Sequence, residues 1–235
     1  MKTYEELLKE LQKIAKMGYV KTHRSGPTGI GKTLEDLLGI EENNISMADG
    51  VDIELKSARK NSTSMLTLFT KSPLPKGANA ELLHKYGYSA DDGKHNRLET
   101  TLSALRFNHI KSKAGLKVAL TDDKINIVDP NSEEPICYWD RALLKEHFAK
   151  KLPKVLYVKA DNRGEGKDEE FLFDEAWLLN GLNFDNLVEF LKQDKILIDI
   201  RIGQYEDGRT HDHGTGFRIH TDKIPLCFTS REQVI

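Results

Sequence analysis

Apolar residues in the first twenty positions recur at helical spacing: Tyr4, Leu7, Leu8, Leu11, Ile14 and Ala15 fall on one stripe, with acids and lysines interspersed around it. That spacing predicts an amphipathic helix. A glycine-rich turn, Ser25 to Gly31, leads into a short predicted helix over 33–38, closed by Gly39. The period then changes to two. Val51, Ile53 and Leu55 alternate with Asp52, Glu54 and Lys56, which predicts a strand over 51–57 with one apolar face buried and one polar face open. The run 65–69 reads as its antiparallel partner across the polar turn 58–64. A loop is expected over 71–79, a helix over 79–86 and a polar loop over 87–97. Strands are expected at 116–121, 124–128 and 154–160, with Asp122 and Asp123 making a tight turn between the first two. Helices fit 140–150, 174–179 and 184–193, and strands at 195–202 and 216–220 flank the loop Gly203 to Thr215. Hairpins mixed with crossovers give the α/β class in its mixed α+β form.

The 235 residues suffice for one large domain or two lobes. With 38% hydrophobic and 31% charged residues, the composition is that of an ordinary soluble globular protein. No apolar run approaches the ~20 residues that span a bilayer, and the first helix is neither a signal nor an obvious transit peptide. Cys137 and Cys227 are isolated and fit no zinc spacing, so two free thiols suit a reducing cytoplasm. A net charge of −2 argues against binding nucleic acid by bulk electrostatics. It leaves room for a cleft with local positive charge. Basic residues do cluster, at Lys21, His23, Arg24 and Lys32, at Lys56, Arg59 and Lys60, at Lys71 and Lys76, and at Arg201, Arg209 and Arg218.

The strongest chemical signal is Asp49, Glu54 and Lys56. Glu54 and Lys56 project to one side of the predicted strand, about 7 Å apart, and Asp49 at its start can turn toward them beside Gly50. Two acids supply hard oxygen ligands, and a lysine can steady a hydroxide or the charge building on phosphate, which suits a magnesium-dependent phosphodiesterase. A charged alternating strand is more often a half-solvated edge, and short motifs recur by chance. Glu35, on the preceding helix, offers a third carboxylate that could hold a second ion or orient a water; its bland reading is an exposed helix acid.

Two other stretches carry chemistry. Gly26 to Thr33 matches the phosphate-loop pattern G-x-x-x-x-G-K-T, and Ile196 to Asp199 resembles its usual acidic companion. A phosphate loop must leave a buried parallel strand. Here Lys21 to Ser25 is polar, so the match reads as a decoy: the turn contacts DNA backbone or positions Glu35. The second stretch holds Asp199, Arg201, His211, Asp212, His213 and Arg218. Arginine donates to guanine O6 and N7, aspartate accepts from cytosine N4, and histidine can do either at guanine edges. Structural hydrogen bonding is the alternative for all six.

These blocks together resemble the MvaI/BcnI family of type II restriction endonucleases, relatives of the mismatch-repair nickase MutH. They are Gly29-Ile-Gly-Lys-Thr-Leu-Glu35-Asp-Leu-Leu, Asp49 to Lys56, Leu66-Thr-Leu-Phe-Thr-Lys-Ser-Pro73, Gly77-Ala-Asn79, Asp199-Ile-Arg-Ile-Gly203 and Thr210-His-Asp-His-Gly-Thr-Gly-Phe-Arg218. The likeness runs nearly end to end, is weakest over about 100–175, and is greatest to the MvaI branch, which shares the phosphate-loop match. It implies a single MutH-like chain over 1–235 with a PD-(D/E)xK core and two lobes around a DNA cleft. The catalytic lobe would centre on about 20–80 and the recognition lobe lie within about 81–235. Asp49, Glu54 and the Leu55 carbonyl would bind Mg²⁺, Lys56 would be the catalytic lysine, and Glu35 would complete the site. Mn²⁺ is expected to substitute and Ca²⁺ to support binding only. Asp199, Arg201, His211, Asp212, His213 and Arg218 would read bases. Thr70 stands where BcnI-like members carry histidine. The expected partner is double-stranded DNA, met by a monomer in a bacterial or archaeal cytoplasm, with a separate cognate methyltransferase and no membrane. Alternatives are a MutH-type repair nickase, a catalytically dead DNA-binding module and, more remotely, a phosphate-loop nucleotide hydrolase.

Overall fold

Strand Asp52–Arg59 lies inside a mixed sheet, paired in parallel with Lys154–Arg163 on one side and antiparallel with Asn44–Ser46 on the other. The computed structural model describes residues 3–40, 44–46, 52–62, 64–90, 93, 95–111, 113–132, 134–151 and 154–235. The chain forms two compact units, each drawn from separate stretches.

The first unit comprises 1–64, 149–183 and 221–235. Its sheet runs in the order Val20–Lys21, Glu170–Leu182, Lys154–Arg163, Asp52–Arg59, Asn44–Ser46, and Phe228–Gln233 also pairs with Glu170–Leu182. Helix Tyr4–Ala15 starts at a capping box: Thr3 accepts from the Glu6 backbone, and the Glu6 carboxylate accepts from the Thr3 backbone. Such a cap stabilises a helix by about 1 kcal/mol. Leu7, Leu11 and Ile14 from this helix and Ile30, Leu34 and Leu38 from helix Gly29–Leu38 pack with Ile53, Leu55, Leu156, Val158 and Ala160 in one core. Both helices therefore cover the Ile53/Leu55 face, and the alternation leaves Glu54 and Lys56 on the other.

The second unit comprises 65–148 and 184–220. Its antiparallel sheet runs Met65–Thr70, Gly216–His220, Ile196–Gln204, Asn96–Leu102, Tyr88–Ser89, with Thr210–Asp212 pairing alongside Ile196–Gln204. Ile198, Ile200, Ile202, Leu98, Leu102, Phe217 and Ile219 are fully buried, and helices Ala78–Tyr86 and Phe184–Lys192 pack against the sheet. Strand alternation places Asp199, Arg201 and Gly203 on the face away from the three isoleucines. A smaller antiparallel sheet of Lys117–Leu120, Lys124–Val128 and Cys137–Asp140 belongs to the same unit and includes the expected hairpin.

Three expectations need correction, the first being the loop expected from Gly203 to Thr215, which contains strand Thr210–Asp212. The helix expected over 174–179 is part of strand Glu170–Leu182. A register shift against the neighbouring strand between Lys159 and Asp161 inserts an extra residue here. Phe171 and Phe173 before it, and Ala176 and Leu178 after it, therefore reach one core from positions of opposite parity. The period of two is broken in the sequence though not in the sheet. The run 65–69 is a strand, Met65–Thr70, but it pairs with Gly216–His220 in the other sheet. Both edges of Asp52–Arg59 are already taken. No helix among the described residues is long and apolar enough to cross a membrane. Both cysteines are free and buried, and burial pushes each thiol up to about 12.

Candidate active site and recognition face

Lys56 Nζ donates to Glu54 Oε1 at 2.7 Å, and the two side chains are only 16% and 13% exposed. Their spacing on one face of the strand, read from the sequence, brings them into direct contact. Partial burial strengthens this pairing relative to a surface ion pair. Glu35, Leu55 and Lys56 line one cleft of ≈ 320 Å³ together with Arg24, Lys32 and Ser57. The structure thus brings Glu35 to the same cleft as Lys56, and Lys56 to Glu54. Asp49 lies outside the described residues. Among the described residues, no three His, Cys, Asp or Glu side chains converge as a metal-binding group.

The glycine-rich turn is held by side chains that a nucleotide site would need free. Val20–Lys21, before it, is a two-residue strand antiparallel to Glu170–Leu182, not a buried parallel strand. Thr33 is fully buried; its hydroxyl donates to the Gly29 carbonyl at 2.8 Å and accepts from the His23 backbone at 3.0 Å. Lys32 is paired with Asp36 at 2.7 Å, and His23 reaches the same carboxylate at 2.9 Å. These two partners hold Asp36 below the usual carboxylate range, Lys32 contributing most. Arg59, farther along the central strand, makes a two-point contact with Glu169 at 2.6 and 2.7 Å and donates to the Gly26 and Pro27 carbonyls. The turn is thereby tied to the sheet beside the cleft. This arrangement argues against a phosphate loop.

In the second unit, Asp199 is 5% exposed and fully engaged. Its Oδ2 accepts from Arg201 Nε at 2.6 Å and from Arg218 at 2.8 Å, and its Oδ1 accepts from the Thr101 hydroxyl at 2.8 Å. Arg218 also donates to the Met65 carbonyl at 2.7 Å. Arg201 remains about half exposed, at 48%. Asp212 is equally occupied. It accepts from Ser72 at 2.6 Å, Asn79 at 2.8 Å, and the backbones of Gly214 and Thr215 at 2.9 and 2.7 Å. Burial alone pushes its carboxyl up, but these hydrogen bonds outweigh burial and hold it below the ordinary range. His211 and His213 approach ring to ring at 4.2 Å, and Tyr205 lies against His211 at 4.6 Å. His147 has a ring nitrogen 3.3 Å from the Thr70 carbonyl.

The model of the MvaI/BcnI restriction endonuclease family matches residues 8–228. The chain belongs to that family. It is a site-specific deoxyribonuclease of the restriction endonuclease kind. A solved structure described as the restriction endonuclease MvaI–cognate DNA substrate complex is 32% identical, with a TM-score of 0.81 and full coverage of both chains. Another, restriction endonuclease MvaI in the absence of DNA, is also 32% identical, with a TM-score of 0.62 over 100% of this chain and 99% of that one. No curated protein matches the chain.

In this family member, the side chains that hold Asp199, Asp212 and the Arg201 backbone carry no role assigned from the sequence: Thr101 lies outside the resembling blocks, and Ser72, Asn79 and Thr215 lie within them, the Thr215 hydroxyl accepting from the Arg201 backbone at 3.2 Å. Each is a small polar residue in an ordinary context. Only the fold brings them to their partners.

Proposed function

We propose that this chain is a type II enzyme that hydrolyses double-stranded DNA at a short pseudopalindrome of C·G pairs around a variable centre, CCWGG-like or CCSGG-like, with W the preferred reading. The Glu54–Lys56 contact at 2.7 Å, on a strand opening to the Glu35 cleft, carries the cleavage half of this reading. The unit holding Glu54 serves as the catalytic lobe and the unit holding Arg201 as the recognition lobe.

Asp49, Glu54 and the Leu55 carbonyl would hold Mg²⁺. Their donors are all hard oxygens, which fits that ion, and Lys56 occupies only one of the two Glu54 carboxylate oxygens. A divalent ion bound there supplies positive charge against the phosphate and makes water more acidic. Lys56 orients the attacking water in line with the leaving 3′ oxygen and offsets charge on the phosphate, and Glu35 helps to hold that water. The products carry 5′-phosphate and 3′-hydroxyl ends. Mn²⁺ substitutes, and Ca²⁺ supports binding alone.

For recognition, Arg201, His211, His213 and the accessible part of Arg218 contact base edges, while Asp199 holds the two arginines and Asp212 holds the loop through Gly214 and Thr215. The occupied carboxylates of both aspartates support this division. The enzyme acts as a monomer in the cytoplasm of its bacterial or archaeal host and nicks each strand in a separate event. A separate methyltransferase protects the host's own sites.

Digestion of supercoiled plasmid with Mg²⁺, followed by run-off sequencing of both strand ends, tests the proposal. Passage through an open-circular form to unique double-strand ends is expected. Cutting of one strand only, dependent on a partner protein, would favour a repair nickase. Binding without any cutting would reduce the chain to a recognition module.

A further inference from the structure

We infer that Glu99, on the strand beside Arg201, reads a cytosine in the recognition site. The inference rests on the recognition face just proposed. In an antiparallel pair, directly opposed residues share a face. The register pairs Asp199 with Thr101, Arg201 with Glu99 and Gly203 with Arg97. Thr101, Glu99 and Arg97 therefore extend the face that bears Asp199 and Arg201, and Glu99 is exposed on it.

The chemistry narrows what Glu99 can do there. Reading a cytosine needs an acceptor for its exocyclic amine. The acids that the sequence offers for this task, Asp199 and Asp212, already accept from three and four donors in turn. Glu99 differs. Its backbone carbonyl accepts from Tyr88, but among the described residues its carboxylate has no hydrogen bond or ion pair. It is an acceptor-only group standing open beside a guanidinium that Asp199 orients. Opposed side chains on a sheet stand about 5 Å apart at Cβ, and successive bases on a strand are about 3.4 Å apart. Arg201 and Glu99 can therefore reach neighbouring positions in one groove, a donor to guanine and an acceptor from cytosine. A carboxylate turned instead to the phosphates would meet only like charge.

The test uses the full chain and a pool of linear duplexes with a randomised central block, digested with Mg²⁺ and sequenced at the cut ends. Glu99→Ala is expected to lower the preference for cytosine at one position on the order of tenfold, leaving the other positions as in the parent. Glu99→Gln, which keeps an acceptor oxygen, retains much of that preference. Glu99→Lys loses it, and decides the question should the alanine variant fold poorly. If Glu99→Ala and Glu99→Lys keep the parental profile, or only cut every duplex faster or slower by one factor, the inference is wrong. Arg201→Ala, run alongside, separates the two levels. A widened profile for Arg201→Ala with none for the Glu99 variants overturns the Glu99 assignment alone. Unchanged profiles for both overturn the recognition face and this inference together.

Discussion

His213 is seated over Gly203: a β-carbon on the glycine would stand 2.6 Å from the histidine Nε2. Gly203 lies on the same strand face as Arg201, so the absent side chain leaves room for His213 to settle beside it. Alanine at 203 is expected to push the imidazole aside. An imidazole on a flexible stem can move, so the stability cost stays within about 1 kcal/mol. Discrimination among sites should fall with little change in the rate of cleavage at the preferred site. Thermal melting of Gly203→Ala and its cleavage profile on randomised duplexes check both halves. A variant with parental site preference would show that the position of His213 does not matter to recognition.

Arg201 and Asp199 have opposite expected phenotypes. Asp199 is buried and joins two arginines and Thr101. Asp199→Ala leaves those donors without an acceptor and is expected to cost roughly 2 kcal/mol, less than for a fully buried pair because Arg201 is half solvated. Arg201→Ala should change stability by less than about 1 kcal/mol yet cost about 1–3 kcal/mol of discrimination at one G·C pair. Urea unfolding and competition binding in Ca²⁺ measure the two quantities separately. Equal stability losses in both variants would contradict the division into holder and reader.

How far these features are legible in the sequence follows from where their causes lie. The strand carrying Glu54 and Lys56 declares itself because its alternation is unbroken, and helix Tyr4–Ala15 because its stripe is complete. Strand Glu170–Leu182 hides, since its bulge shifts the parity of the buried positions. Asp199, Asp212 and the arginines stand out as a chemical concentration, but the sequence does not show which of them are hydrogen-bonded and buried and which stay exposed. That depends on donors such as Thr101 and Asn79, which lie 98 and 133 positions away in sequence. Glu99 is hidden for the same reason in reverse. An unengaged carboxylate becomes informative only once its neighbours are seen to be engaged.

Glu54→Ala and Lys56→Ala should each abolish cutting while leaving DNA binding in Ca²⁺ largely intact. The two side chains contact one another, so their stability effects should not add. The double variant is expected to be less destabilised than the sum of the singles, because each single leaves a partly buried charge without its partner. Plasmid nicking, filter binding in Ca²⁺ and a double-mutant cycle in urea test this. Residual cleavage by Lys56→Ala near the parental rate would remove the lysine from the chemistry.

The depressed carboxyl of Asp212 makes a pH prediction whose sign is fixed. The folded state holds its proton less tightly than the unfolded chain does, where an aspartate titrates near about 3.9. The hydrogen bonds from Ser72, Asn79, Gly214 and Thr215 therefore stabilise the fold fully above that value. Their contribution declines as pH falls through the lower folded value. Asp212→Asn should thus be less stable than the parent at neutral pH, and the gap should narrow on acidification below about pH 4. Urea midpoints for both proteins from neutral pH to the acid limit of folding give the comparison. A gap that stays constant across that range would mean that Asp212 holds its loop without its charge.

Thr33 separates a structural turn from a nucleotide site. Its buried hydroxyl links the Gly29 carbonyl to the His23 backbone. Thr33→Val keeps the shape and removes both bonds, so it should cost roughly 1–3 kcal/mol even with no ligand present. A phosphate-loop threonine would behave otherwise, since its loss would abolish nucleotide turnover and leave the empty fold nearly as stable. Urea unfolding of Thr33→Val, alongside phosphate release from ATP and GTP by the parent, decides between them. Destabilisation with no phosphate release is expected. Nucleotide turnover by the parent, lost in Thr33→Val at unchanged stability, would restore the reading that the buried hydroxyl argues against.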